Sequence, residues 1–440
     1  MEITLTELLD AREERVRIQR EIQMAHPYPL ICFTMNIAGP VKTSPTIVRA
    51  FKYGLSAIES ALSDYPVSAR RTDLNKTGPT AYISVKGDAS AIKAVCVGIE
   101  ESCALGRLFD IDVIAQGGKK LERITERSCI VCGAKGRACA AGRLHSVGEL
   151  QNKTESIIWE HFAENDSVHV AALAKESLIF EVMTTPKPGL VDSKNNGSHR
   201  DMNVKTFIKS ADALFPYFAQ CVRIGISTKA LPPSETFTAL RLSGIEAEKA
   251  MLNATNGVNT HKGIIYSMGV LLGAVGRLWT PDRPVAKTEL LLGECSALTK
   301  EASEKDLAAI DGTTAGGRLY LLTGERGIRG EVADGFPSVK NISLPAYKKA
   351  LSEGKSKNDG GIIALLHLIA EIYDTSLYNR GGESGVSYAR EYAKKVLSGE
   401  SLTADMLEKM DSDFTEKNLS PGGSADLLAI THFLSELESK

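Results

Sequence analysis

Residues 255–275 read TNGVNTHKGIIYSMGVLLGAV, and the two halves of this run say different things. In 264–275 the apolar positions are Ile264, Ile265, Met268, Leu271, Leu272 and Val275. They fall at i, i+1, i+4, i+7, i+8 and i+11, which is one face of an α-helix. The preceding TNGVNTHKG is a glycine-containing turn at that helix's N-terminus. Such a turn offers free backbone N–H groups and the positive end of the helix dipole to a phosphate. Asn259 adds a side-chain donor, Lys262 a mobile cation, and His261 lies between them. An ordinary helix–helix connection has the same outline.

The same period recurs around this helix. In 207–218 it places Phe207, Ile208, Ala211, Leu214, Phe215 and Phe218 on one face. Residues 168–183, 236–254, 286–310, 361–377, 384–398 and 424–438 follow suit. With no strand pattern beside them, the reading is an all-α domain over 161–440. Upstream, 30–37, 81–85 and 108–114 are short, apolar and rich in β-branched or aromatic residues, hence strands. Helices are expected at 3–24 and 45–62. That mixture predicts an α/β or α+β domain over 1–160. The polar run QNKTESIIWEHFAEND (151–166) marks the boundary.

A chain of 440 residues is too long for one ordinary core, so more than one domain is expected. Its 52 basic and 54 acidic residues nearly cancel, which argues against a nucleic-acid partner. No apolar run reaches membrane-spanning length, so no membrane partner is expected. The N-terminus is charged and helical in pattern, unlike a signal peptide. Eight cysteines without an export signal suggest reduced thiols in the cytoplasm.

The second half carries its chemistry in loops. Residues 186–202 read PKPGLVDSKNNGSHRDM. Glycine and proline make this run a loop. Lys187, Asp192, His199, Arg200 and Asp201 equip it to hold an anion and a metal ion together, as a nucleoside triphosphate requires. GIRGEVADGFP (327–337) sets Arg329 beside Glu331. DTSLYNRGG (374–382) puts Asp374 and Arg380 about two turns apart if a helix continues. SPGGSADLL (420–428) follows Gly422 and Gly423 with Asp426, expected in the first turn of the last helix, where the dipole alone favours an acid. A plain helical bundle has no need of so many charged glycine turns, so these five loops are expected to converge at one end.

The first half has three features. In GRLFDIDVI (106–114), Asp110 and Asp112 are two apart on a strand and project to the same face. Paired carboxylates on a nucleotidyltransferase-like sheet suit Mg²⁺ held against substrate phosphates. Arg107 beside the strand could reach a phosphate or sit in a surface ion pair. In NIAGPVK (36–42), a Gly-Pro turn places Lys42 as a phosphate contact or a solvated lysine. Cys129, Cys132, Cys139 and His145 form C-x2-C-x6-C-x5-H. They supply either the donors of a structural Zn²⁺ site or three small buried residues and a free histidine.

Taken together, residues 12–150, with NIAGPVK, GRLFDIDV and the cysteine cluster, resemble apo-citrate lyase phosphoribosyl-dephospho-CoA transferase. Residues 170–437, with PKPGLVD, GSHRDM, NGVNTHKG, DTSLYNRGG and SPGGSADLL, resemble triphosphoribosyl-dephospho-CoA synthase. The order of motifs looks like a fusion of the two. Ala38 stands where the first family usually has proline, and Ala140–Arg143 replace an Arg-Ser-Arg-like run. The resemblance implies a C-terminal domain that joins ATP to dephospho-CoA with loss of adenine. It implies an N-terminal domain that then loads a serine of the citrate lyase acyl carrier protein, releasing pyrophosphate with the help of Mg²⁺. Asp192, Asp201, Asp374 and Asp426 become candidates to stabilise a cationic sugar or act as base. Lys187, His199, His261, Lys262 and Arg380 suit the triphosphate or the leaving adenine. Other readings are the same chemistry for a malonate decarboxylase carrier, a non-catalytic nucleotide-binding regulator, or a carrier-docking scaffold.

Overall fold

The computed structural model describes residues 2–309, 312, 315–399 and 402–439. The chain forms two compact units, Met1–Glu164 and Asn165–Lys440.

The first unit runs α1 (Leu5–Ala25), β1 (Leu30–Met35), α2 (Pro45–Ala61), β2 (Val67–Asn75), β3 (Gly78–Val85), α3 (Ala89–Glu101), β4 (Phe109–Ile114) and α4 (Gly136–Gly142), then enters α5 (Val147–Met183). Its sheet has the order β2-β3-β1-β4, and every pairing is antiparallel. Thr4 and Ser44 cap α1 and α2 by accepting from backbone N–H groups of the first turn. Phe33 of β1 stacks on Phe51 of α2 with ring centroids 4.8 Å apart, and Phe109 meets Phe33 edge-on. These rings fill the interior between sheet and helix.

Strand β2 was not expected from sequence. Its residues, VSARRTDLN, alternate no apolar face and are mostly exposed. It lies at the sheet edge, where charged side chains discourage pairing with other chains. The boundary between the units, Glu164 to Asn165, falls inside the polar run 151–166 as expected, and that run is part of the continuous helix α5. Ile157, Ile158 and Phe162 are buried there, so the run is one-sided and helical. Arg49 lies over the Phe162 ring at 4.0 Å from its centroid.

The second unit continues with α6 (Val204–Thr228), α7 (Pro233–Ala254), α8 (Lys262–Leu278), α9 (Thr288–Ala308), α10 (Ala315–Thr323), α11 (Gly327–Ala333), α12 (Leu344–Ser352), α13 (Lys357–Glu371), α14 (Thr375–Leu397), α15 (Ala404–Glu416) and α16 (Gly422–Glu438). Its described residues hold helices and one isolated bridge, between Thr280 and Arg283. No single helix among the described residues is long and apolar enough to cross a membrane.

Helix α8, the stretch quoted first, is buried from Ile264 to Gly276 on nearly every side, not on one face alone. Small residues explain this. A Cβ on Gly276 would stand 2.1 Å from the Val222 carbonyl oxygen of α6, and one on Gly225 of α6 would stand 2.2 Å from that of Gly273. Glycine lets the two backbones touch. The helix expected over 361–377 is two: α13 ends at Glu371, and Asp374 caps α14 by accepting from Ser376 and Leu377. Residues 327–333, expected as a turn, form the short helix α11.

Two candidate active sites

In the second unit, all five glycine loops reach two adjoining cavities of about 780 and 240 Å³. The loop before α8 supplies Asn259, Lys262 and Gly263 to both. The 186–202 loop supplies Leu190, Val191, His199 and Met202 to the smaller. Arg329, Asp374 and Gly423 line the larger, while Arg380 and Gly422 line the smaller. Asp426 borders both.

Asp426 differs from the other acids. Helix α16 begins at Gly422 and has no acid in its first turn, so Asp426 sits deeper than expected, and capping does not explain it. Its carboxylate meets no hydrogen-bond donor among the described residues. Burial, then Glu181, then Asp374 push its pKa well above the usual carboxylate range. A Cβ on Gly263 would stand 2.0 Å from Asp426 Oδ2. Glycine there lets the carboxylate lie against the start of α8.

The other expected acids are committed. Asp374 Oδ1 accepts from the Ser376 and Leu377 N–H groups, and its Oδ2 accepts from Ser424 N and Oγ at 2.7 and 2.8 Å. It ties α14 to α16. Asp192 is a clasp rather than a free base: Oδ2 accepts from Lys187 N, and Oδ1 from Lys194 N and Asn195 N. Asp411, which sequence reading missed, holds the same loop through Gly189 N and Asn195 Nδ2. Asp201 is exposed and close enough to favour the charged forms of His199 and Arg380.

Lys187 is corrected from phosphate contact to internal support. It is 1% exposed, forms an ion pair with Glu181, and donates to the Glu181 carbonyl at 2.6 Å. Glu181, also missed, lines the smaller cavity. An acid near the end of a helix, followed by Val182 and Met183, gave no signal for it.

The two histidines are neutral, not cationic. Burial, then Arg380, lowers the His199 pKa to about 4. Burial, then Lys187, lowers that of His261 to about 3. His199 Nε2 bonds Ser420 Oγ at 2.8 Å, and its Nδ1 accepts from Arg380 at 3.2 Å. His261 Nδ1 bonds Ser210 Oγ at 2.7 Å, while its buried Nε2 has no partner among the described residues. Cationic character comes from Lys262, Arg329 and Arg380, joined by Arg241 and Arg326 in the larger cavity. Sequence gave no reason to single out those last two, Arg241 within α7 and Arg326 just before α11, because single arginines at such places are usually solvated.

In the first unit, Asp110 and Asp112 project to one face while Phe109, Ile111 and Val113 are buried on the other. Asp112 accepts from Lys120 at 2.6 Å, so the pair is not unpartnered as expected. Shielding by the surrounding chain, then Asp112, raises the Asp110 pKa. One lysine is too little charge for two carboxylates, and an all-oxygen pair of this kind fits Mg²⁺. Asp110 pairs in register with Thr34, and Asn36 N bonds the Leu108 carbonyl at 2.7 Å. The Lys42 loop therefore leaves β1 at the sheet end where β4 begins. Lys42 donates to the Ile37 carbonyl, and its pKa is lowered by burial and then by Arg12. Arg107 forms no ion pair among the described residues; it donates to Ser128, at 3.1 Å to Oγ. Cys129, Cys132, Cys139 and His145 come together, with donor atoms within 4.8 Å of one another.

One unit thus presents paired carboxylates on a small sheet, and the other a cation-lined double cavity. The family model CitX, "Apo-citrate lyase phosphoribosyl-dephospho-CoA transferase", matches residues 3–161, and CitG, "ATP:dephospho-CoA triphosphoribosyl transferase", matches 167–440. "Protein CitXG" of Haemophilus influenzae is 35% identical, covering 98% of this chain and 96% of its own. "Protein CitXG" of Leuconostoc mesenteroides is 31% identical over 99% and 97%. "2-(5''-triphosphoribosyl)-3'-dephosphocoenzyme-A synthase" of Pectobacterium atrosepticum is 39% identical over 64% of this chain and 93% of its own. The chain belongs to the CitXG family, in which a CitX domain precedes a CitG domain.

Proposed function

We propose that the chain builds and attaches the citrate lyase prosthetic group in two steps, one per unit. The second unit joins ATP to dephospho-CoA. A ribose hydroxyl of dephospho-CoA forms a C–O bond at the anomeric carbon of ATP as the C–N bond to adenine breaks. The hydroxyl proton passes to Asp426; adenine departs with the electron pair of the C–N bond and takes up one proton, and release of the proton from Asp426 closes the balance. The convergence of five sequence-distant loops on two cavities that share Asp426 carries this reading. The larger cavity has the size of a nucleotide site, and Arg241, Lys262, Arg326 and Arg329 suit a triphosphate. Neutral His199 and His261 suit hydrogen bonding to a base better than charge neutralisation. Asp374 and Asp192 hold the loops in place.

The first unit would transfer phosphoribosyl-dephospho-CoA to a serine of the citrate lyase acyl carrier protein in the cytoplasm, with pyrophosphate leaving. Asp110 and Asp112 would hold Mg²⁺, which supplies charge neutralisation to the departing pyrophosphate. Lys42 and Lys120 stand at the same sheet. A nucleotidyltransferase-like role for this sheet accords with the carboxylate pair.

Incubation of the full chain with ATP, dephospho-CoA and Mg²⁺ should release free adenine, and addition of apo-carrier should then yield loaded carrier by mass. Nucleotide binding with no adenine released would point to a regulator instead.

A further inference from the structure

We infer that Cys129, Cys132, Cys139 and His145 bind a structural Zn²⁺ that holds the segment after β4 against the carboxylate strand. Three sulfurs and an imidazole nitrogen form a complete tetrahedral donor set, with no position left open for substrate. Metal–sulfur bonds of about 2.3 Å give a tetrahedron with edges of roughly 3.8 Å. Cys132 Sγ lies 3.4 Å from Cys139 Sγ, and His145 Nε2 lies 3.3 Å from Cys132 Sγ. All four donors lie within 4.8 Å of one another. The cysteines are free thiols, so no covalent bond accounts for the gathering.

The backbone is built around the cluster. Val131 N–H donates to Cys129 Sγ at 3.4 Å, and Cys129 N bonds the Ala134 carbonyl at 2.6 Å. Gly133 takes φ 76° to close this knuckle. Cys139 enters from α4, and Leu144 N bonds its carbonyl at 3.1 Å, which turns the chain toward His145. The segment between β4 and α5 has few buried apolar side chains among its described residues. A metal therefore supplies what its core does not.

The knuckle is wired to the strand. Arg107 donates to Ser128, next to Cys129. Arg127 forms an ion pair with buried Glu100, and Arg123 bridges Glu100 and Glu101 at 3.4 and 2.7 Å. The same Glu100 accepts from Ile111 N at 2.8 Å, the backbone between Asp110 and Asp112. Loss of the metal would loosen the arginines and, through Glu100, the carboxylate pair. The four ligands are thus positioning residues for the transfer step.

The test starts from the full-length chain purified under reducing conditions, with metal measured by plasma mass spectrometry. The expected result is about one zinc per chain. Replacement by Co²⁺ should give thiolate-to-cobalt absorption and the visible bands of a tetrahedral site. Cys132→Ser and Cys139→Ser should lose both signals, with carrier loading reduced and adenine release unchanged. Cobalt absorption of the unmutated chain decides the matter even if the variants misfold. Zinc-supplemented protein with well under stoichiometric metal and no cobalt–thiolate band would overturn the inference, as would a cobalt band that survives in both variants. Metal content does not depend on which reaction the first unit performs, so failure of the transfer reading is separable.

Discussion

Asp426 is the side chain to which the proposed synthase chemistry assigns the base. A carboxylate set among packed helices, flanked by Glu181 and Asp374 and without a donor among the described residues, is held protonated to higher pH than usual. Once deprotonated, such a group is a stronger base than an ordinary aspartate. Asp426→Asn should slow adenine release by about 10²–10⁴-fold, with carrier loading from supplied intermediate unchanged; a milder loss would move the base elsewhere. Stability should go the other way. The folded pKa lies above the unfolded one, so the unfolded chain loses its proton first as pH rises. Asp426 therefore costs stability above the unfolded pKa, and the cost is complete once pH exceeds the folded one. Asp426→Asn should then gain melting temperature relative to the unmutated protein as pH rises from below the ordinary carboxylate pKa to above the folded one, as differential scanning calorimetry can read. The pH profile of adenine release should fall on the acid side at a pH above the ordinary carboxylate range. His261, with a pKa near 3, should contribute no limb to that profile between pH 5 and pH 8 in about any buffer. His261→Gln, which keeps a hydrogen-bonding end, should retain more activity than His261→Leu.

At the level of elements, the site depends on how closely helices approach. The start of α8 lies against Asp426 because Gly263 has no side chain: a Cβ would stand 2.0 Å from Oδ2. Gly263→Ala should displace the carboxylate and lower adenine release on the order of 10²-fold, with a far-UV circular dichroism spectrum like that of the unmutated chain. Further along, α6 and α8 meet backbone to backbone at Gly225 and Gly276. Gly276→Val should lower stability by about 1–3 kcal/mol or more, measured by denaturant unfolding, because α6 must move away. If activity fell with no loss of stability, the contact would not be what anchors α8.

Across the whole molecule, the two units carry separate chemistry. Asp110→Ala combined with Asp112→Ala should abolish carrier loading and leave adenine release intact; equal loss of both would contradict separate sites. Much of this plan was legible in the sequence. Period and apolar runs located most long helices and three of the four strands, because burying one face imposes a repeat on the chain. The motif sets named both transferases. Strand β2 escaped because an exposed edge needs no apolar alternation, and only the second half of α5 was read as helix because polar residues dominate 151–156. Which charged residue does what could not be read, because glycine loops with acids look alike in one dimension. Only the tertiary structure spends Asp192 and Asp374 on backbone N–H groups, buries Lys187 against Glu181, makes the histidines neutral, and leaves Asp426 bare between two cavities. Sequence fixes which groups are available through local pattern; burial and partners, which arise only when distant segments meet, decide their charge and their freedom to react.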